Sequence, residues 1–184
     1  MKYKRIYILG PPGSGKSYLA KKISEKLYLP FKDMDDVRFI KKFTKARTKP
    51  QRKKLVDKIL KTKRWVIDAR GTEWDRHAML KADLIIIMRI PFYRRTSNII
   101  KRHFERKGSE IDEKFIHLFP LIKYSLSYRY GKRETSFNNT NSYLKKHNLK
   151  PIILKNRKQI NKFLDKLKWP LKKNKLSSQR RATS

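Results

Sequence analysis

Residues Gly10 to Ser17 constrain this chain more tightly than any other stretch. They read Gly-Pro-Pro-Gly-Ser-Gly-Lys-Ser, the spacing G-x-x-x-x-G-K-[ST]. Ahead of them Arg5-Ile-Tyr-Ile-Leu-Gly10 is a short apolar run ending in glycine, as a buried parallel strand would be. Behind them Leu19, Ala20, Ile23 and Leu27 recur at helical spacing within Lys16 to Leu27. A strand, a glycine loop and a helix in that order make a cradle for phosphate. Glycines let successive backbone N–H groups curl around it, and the helix N-terminus adds positive potential. The spacing predicts a nucleoside triphosphate bound by Gly10, Pro11, Pro12, Gly13, Ser14, Gly15, Lys16, Ser17 and the adjoining Tyr18. Lys16 is expected at the terminal phosphates, and the Ser17 hydroxyl as a ligand of Mg²⁺.

The rest of the chain repeats the alternation that the loop begins. Phe31 to Asp36 holds a very short strand followed by carboxylates, after a break at Pro30. Trp65-Val-Ile-Asp68, Leu84 to Met88 and Pro151-Ile-Ile-Leu154 are further strands, with helical patterns between them and a last amphipathic helix over Arg157 to Leu167. Strands alternating with helices predict an α/β fold, a parallel doubly wound sheet with helices on both faces. A chain of 184 residues fits one domain, read as 1–167, with a basic disordered tail over 168–184. Zero cysteines exclude disulfides and thiolate metal sites, and four histidines lack the paired spacing of zinc ligands. No apolar run approaches the ~18 residues of a membrane helix, so no membrane partner and a cytoplasmic location are expected.

Charge is the unusual quantity, with 50 Lys plus Arg against 15 Asp plus Glu, a net +35. The tail holds six basic residues and no acid, so +29 remains without it. Lys41 to Arg64 carries twelve basic residues and one acid, Asp57, with Leu55, Val56, Ile59 and Leu60 as an apolar helical face. A field of this sign attracts phosphates and nucleic acid, or reflects a Lys-rich solvated surface.

At these residues the chain resembles the adenylate-kinase-like branch of P-loop kinases and ATPases, which includes adenylate kinases, shikimate kinases and small topology-modulation-related proteins. The resemblance spans roughly Lys4 to Leu167. It rests on the glycine loop, the carboxylates Asp33-Met-Asp35-Asp36, the strand ending at Asp68, and an Arg-bearing helix after a strand and Pro91. It implies a P-loop NTPase sheet of about five parallel strands in the order 2-3-1-4-5. It also implies an acceptor-side insertion, matched by 41–64, and a small lid at about 107–112. Asp33 and Asp35 then hold the acceptor and take its proton, with Asp36 as the helix cap, while Asp68 reaches Mg²⁺ through water. Arg70 becomes a ligand of the acceptor phosphate, Arg102 a clamp on the transferring group with Arg94 and Arg95 as further candidates, and Asn156 part of the adenine-side loop. The chain departs from adenylate kinases in Ala69-Arg70-Gly71-Thr72 after the strand Asp, and in Asn98 where the first lid arginine stands.

The function expected on these grounds is transfer of the γ-phosphoryl of Mg-ATP to a nucleotide or other phosphate-bearing small acceptor. The alternatives are a nucleic-acid-associated ATPase or polynucleotide end kinase, and a non-catalytic nucleotide-binding switch. Tyr124 and Tyr128, four apart, are read as core packing or as a stacking platform for bases.

Overall fold

The computed structural model describes residues 3–40, 45–105, 118–130 and 135–167. The lid expected at about 107–112 and the tail at 168–184 lie outside them. Strands β1 (Arg5–Leu9), β2 (Phe31–Asp33), β3 (Trp65–Ala69), β4 (Leu84–Met88) and β5 (Ile152–Leu154) form one sheet. All pair in parallel in the order 2-3-1-4-5. The helices are α1 (Lys16–Leu27), α2 (Met34–Arg38), α3 (Lys49–Lys61), α4 (Phe92–Glu105), α5 (Leu118–Tyr130), α6 (Phe137–Lys146) and α7 (Arg157–Lys166), with a 3-10 turn at Arg76–Lys81.

Alternation along the central strand decides which helices lie where. Ile6 and Ile8 of β1 point to one face and pack with Leu19, Ala20 and Ile23 of α1 and Ile160 of α7. Tyr7 and Leu9 point to the other, against Val37 of α2, Val56 and Leu60 of α3, and Leu144 of α6. Both faces are thus covered, which is why β1, β3 and β4 are near-continuous apolar runs. Among described residues no helix is long and apolar enough to cross a membrane.

Local chemistry sets two boundaries that the pattern of apolar residues blurs. Helix α3 begins at Lys49 because Thr48 and Gln51 form a reciprocal capping box and Pro50 occupies the first turn. Residues 45–48 ahead of it are not helical, and Ala46 bridges to Phe39. At the start of α2 the cap is Asp33, whose carboxylate accepts from the Asp35 N–H at 2.8 Å. The expectation that Asp36 is the cap is corrected: the carboxylate at the end of β2 meets the exposed N–H groups first.

Candidate functional site: the phosphate loop and the carboxylate–arginine cluster

The C-terminal ends of β1, β2 and β3 bring the expected residues together. In the register, Ile8 pairs with Asp68 and Asp33 with Asp68, so Asp33 and Asp68 stand side by side next to the strand that feeds the loop. The loop turns twice through the left-handed region, at Gly13 (φ 74°) and at Gly15 (φ 81°), which caps α1. Gly13 is also fixed by crowding, since a Cβ there would lie 2.3 Å from the Arg95 carbonyl oxygen. Pro11, Pro12 and Ser14 are buried, whereas Gly15, Ser17 and Tyr18 open to solvent where a ligand would enter.

Asp68 is 4% exposed. Its Oδ2 accepts the Ser17 hydroxyl proton, and its Oδ1 is buried with no partner among the described residues. Burial raises its pKa above the ordinary value; Lys16 and the Ser17 hydrogen bond lower it, and the neighbouring carboxylates of Asp33 and Asp35 raise it again. A hydroxyl and an unsatisfied carboxylate oxygen beside a lysine and two further carboxylates suit a hard divalent cation with oxygen ligands. Ser17 and Asp68 therefore fit Mg²⁺, as the donor set expected from sequence does. The described residues contain no group of three or more His, Cys, Asp or Glu side chains able to hold a metal by itself, so the remaining positions would fall to phosphate oxygens and water.

Near this pair Asp35, Arg38, Arg70 and Tyr124 form a cluster of groups that feel one another's charge. Arg70 donates to Asp35 at 3.0 Å, with both side chains about a quarter exposed. Burial opposes the charge of Arg70, and Asp35, Tyr124 and Asp33 outweigh it, so its pKa is raised. Arg38 is pushed the other way, first by burial and then by facing Arg70, with Asp35 offsetting part of this and Arg52 adding to it. Arg70 thus engages Asp35 directly, and Arg38, which lies over the Phe39 ring at 5.1 Å, is near enough to feel the charge of both. Arg38 is absent from the site expected on sequence; its signal was the three-residue spacing from Asp35, which puts both on one side of α2.

The remaining residues named from the sequence have these surroundings. Asn156 uses its side chain to cap α7, accepting from the Gln159 N–H at 2.9 Å. Arg102 stands half-buried in the last turn of α4. Arg95 is buried and donates to Ser125 of α5, and Asn98 donates to the Gly13 carbonyl at 2.8 Å. Tyr128 packs in the interior, and the Tyr124 hydroxyl meets Thr135 at 2.8 Å.

Comparison with known proteins bears on the fold that carries these residues. A family model described as ATPase family associated with various cellular activities (AAA) matches residues 6–67, from β1 into β3. An uncharacterized protein of Bacillus subtilis (strain 168), YqaC, is 33% identical over 109 residues, which cover 59% of this chain and 61% of that protein. This chain therefore spans about three-fifths of the length of the curated relative it matches. Among solved structures, a shikimate kinase from Bacteroides thetaiotaomicron aligns with TM-score 0.52 at 16% identity, covering 89% of this chain and 95% of that one. Shikimate kinase from Acinetobacter baumannii, in complex with shikimate, aligns at 0.50 and 12% identity over 89% of each chain. A sugar kinase from Janibacter sp. HTCC2649 aligns at 0.50 and 13% over 88% of this chain and 92% of that one. Five parallel strands in the order 2-3-1-4-5, wound around a glycine loop that runs into α1, give this chain the fold of a P-loop NTPase.

Proposed function

We propose that the chain is an ATP-dependent phosphotransferase of the adenylate-kinase-like branch, near the topology-modulation-related proteins, that phosphorylates an anionic acceptor. One observation carries this reading: the Asp35–Arg70 ion pair lies within electrostatic reach of Arg38 and of Asp68, which accepts from Ser17. A nucleotide hydrolase without an acceptor has no need of two arginines near that carboxylate. Arginine forks suit a phosphate or carboxylate on the acceptor, holding it bidentately. Lys16 and the loop N–H groups hold the β- and γ-phosphates. Mg²⁺, bound by Ser17 and through water by Asp68, would neutralise charge on the phosphate oxygens. The acceptor oxygen attacks the γ-phosphorus as the bond to the bridging oxygen breaks, and the acceptor proton passes to Asp35, or to Asp33 beside it. Arg102 is assigned to the transferring group and the Asn156 loop to the adenine side. Since ATP and magnesium are cytoplasmic reactants, we place the protein in the cytoplasm.

The reading is tested by incubating the protein with γ-labelled ATP and magnesium against nucleosides, nucleoside monophosphates, anionic small molecules and 5′-hydroxyl oligonucleotides. Label should move to an acceptor bearing a phosphate or carboxylate. Label released only as inorganic phosphate, whatever acceptor is present, would leave an ATPase instead. Tight nucleotide binding with no release or transfer would leave a switch.

A second reading, an acceptor at the end of a nucleic acid, is favoured by α3. Lys49, Lys53, Lys54, Lys58 and Lys61 are exposed on it and make no ion pair among the described residues, while Arg52 of the same helix donates to the Arg47 carbonyl and is near enough to Arg38 to oppose its charge. A polyanion lying along α3 would thus reach the acceptor site. Stimulation of turnover by oligonucleotides at ~150 mM salt, lost on neutralising Arg52, Lys53 and Lys54, supports it; binding that vanishes at that salt without affecting turnover rejects it.

A further inference from the structure

Helix α4 turns Arg95, Ile99 and His103 inward, a stripe at helical spacing that puts a guanidinium among core residues. Arg95 is 4% exposed. No carboxylate among the described residues pairs with it, and its Nε has no hydrogen-bond partner there. What it does have is Ser125: Arg95 Nη1 donates to the Ser125 Oγ at 2.6 Å and to the Ser125 carbonyl, and the guanidinium lies 5.5 Å from the Phe92 ring centroid. Burial accordingly pushes its pKa down. An unpaired buried cation is costly, and a fold that keeps one points to an offsetting anion.

The phosphate loop lies on the other side of this contact. Ser125 is fully buried, and its hydroxyl donates to the Pro12 carbonyl at 3.3 Å. A guanidinium can only donate, so the Ser125 oxygen must accept from it, which leaves the single hydroxyl proton for Pro12. One residue on, the Gly13 carbonyl accepts from Asn98 at 2.8 Å, and Gly13 presses on the Arg95 carbonyl too closely for any side chain. Two successive loop carbonyls are therefore held outward by α4 and α5.

We propose that Arg95 is a positioning cation for the phosphate loop: through Ser125 it fixes the loop's outer carbonyls, and its uncompensated charge selects ligands carrying several phosphates. The same contacts couple triphosphate binding to the α4–α5 pair. This inference rests on the reading that Gly10 to Ser17 holds a triphosphate. Lys16 and Mg²⁺ answer the charge of the terminal phosphates from the open side, and Arg95 answers it from behind.

The test compares affinities for ATP, ADP and adenosine by calorimetry in the parent protein, Arg95→Met and Arg95→Lys. Arg95→Met should weaken ATP by about tenfold or more, ADP by less and adenosine hardly at all, whereas Arg95→Lys should recover most of the ATP affinity. An equal loss for all three ligands, or none, in a folded Arg95→Met protein overturns the proposal. Should that variant not fold, the parent decides alone by hydrogen exchange: ATP, but not adenosine, should slow the amides of α4 around Asn98 and of α5 around Ser125, and identical exchange with both ligands overturns it. A parent that binds no ATP would overturn the triphosphate reading itself, an outcome distinct from a parent that binds ATP and a variant that binds it equally well.

Discussion

At the scale of single residues, the proposed function divides the site into groups that would meet the nucleotide and groups that would meet its acceptor, and each half has its own expected signature on mutation. Lys16→Ala should abolish turnover and weaken ATP binding by roughly tenfold to a hundredfold while leaving adenosine binding nearly unchanged. A charge-assisted contact to phosphate is worth about 1.5–3 kcal/mol, and adenosine offers no phosphate. Calorimetry with both ligands checks this, and unaltered transfer in a folded variant removes the enzyme reading. Asp68→Asn should raise the magnesium needed for half-maximal rate, since it removes a buried carboxylate whose Oδ1 is unsatisfied beside Ser17. Asp35→Asn should lower kcat with little change in ATP affinity, and Arg38→Ala should raise the acceptor KM instead. A magnesium titration and a two-substrate rate matrix separate the three.

Among the elements, α3 and α4 show how a chain with so few acids accommodates its cations. Several arginines lie over rings: Arg52 over Trp74 at 5.6 Å, Arg76 over Tyr143 at 5.2 Å and Arg89 over Phe137 at 4.8 Å. Helix α3 buries Val56 and Leu60 and exposes its lysines, so like charges repel along the solvent face and its start depends on its cap. Thr48→Ala removes the capping box and should cost about 1 kcal/mol, a melting-temperature fall of roughly 2–4 °C, which differential scanning calorimetry would read. An unchanged melting temperature would mean that packing on the core alone holds this helix.

For the whole molecule, the buried pair beneath the sheet makes stability depend on pH. Asp75 is fully buried, and the Tyr7 hydroxyl donates to its Oδ1 at 2.9 Å. Burial raises the Asp75 pKa from 3.8 to about 7, with hydrogen bonds from Thr72 and Tyr7 offsetting part of the rise. The folded state then holds a proton that the unfolded state has released, so this residue's contribution falls as pH climbs from about 4 to about 7 and levels off above. The slope is at most about 1.4 kcal/mol per pH unit. Asp75→Asn should remove it, so the stability difference between variant and parent, taken from urea melts at pH 4 to 8, should grow in the variant's favour with pH. A difference constant with pH would place a charged Asp75 in the native state. The same whole-molecule view bears on the net +35: counterion release predicts a loss of roughly a thousandfold in nucleic-acid affinity between ~50 and ~200 mM salt if six phosphates are contacted.

Local chemistry was legible in the sequence wherever it acts over a few residues. The glycine loop, the strand before it and the full extent of α1 follow from spacing and apolar periodicity, since backbone turns and amphipathic faces are properties of neighbours in the chain. The resemblance to P-loop kinases supplied the strand order, which periodicity alone leaves open. What only the tertiary structure decided are contacts between distant segments. Register between β2 and β3 sets Asp33 beside Asp68, folding brings Arg70 just past the end of β3 onto Asp35 of α2, and the approach of α4 and α5 puts Arg95 and Ser125 behind Pro12 and Gly13. Spacing marks Lys16, but in a chain with 50 lysines and arginines nothing in the sequence singles out Arg95; its burial and its lack of a carboxylate partner among the described residues do, and both arise only when the chain is folded.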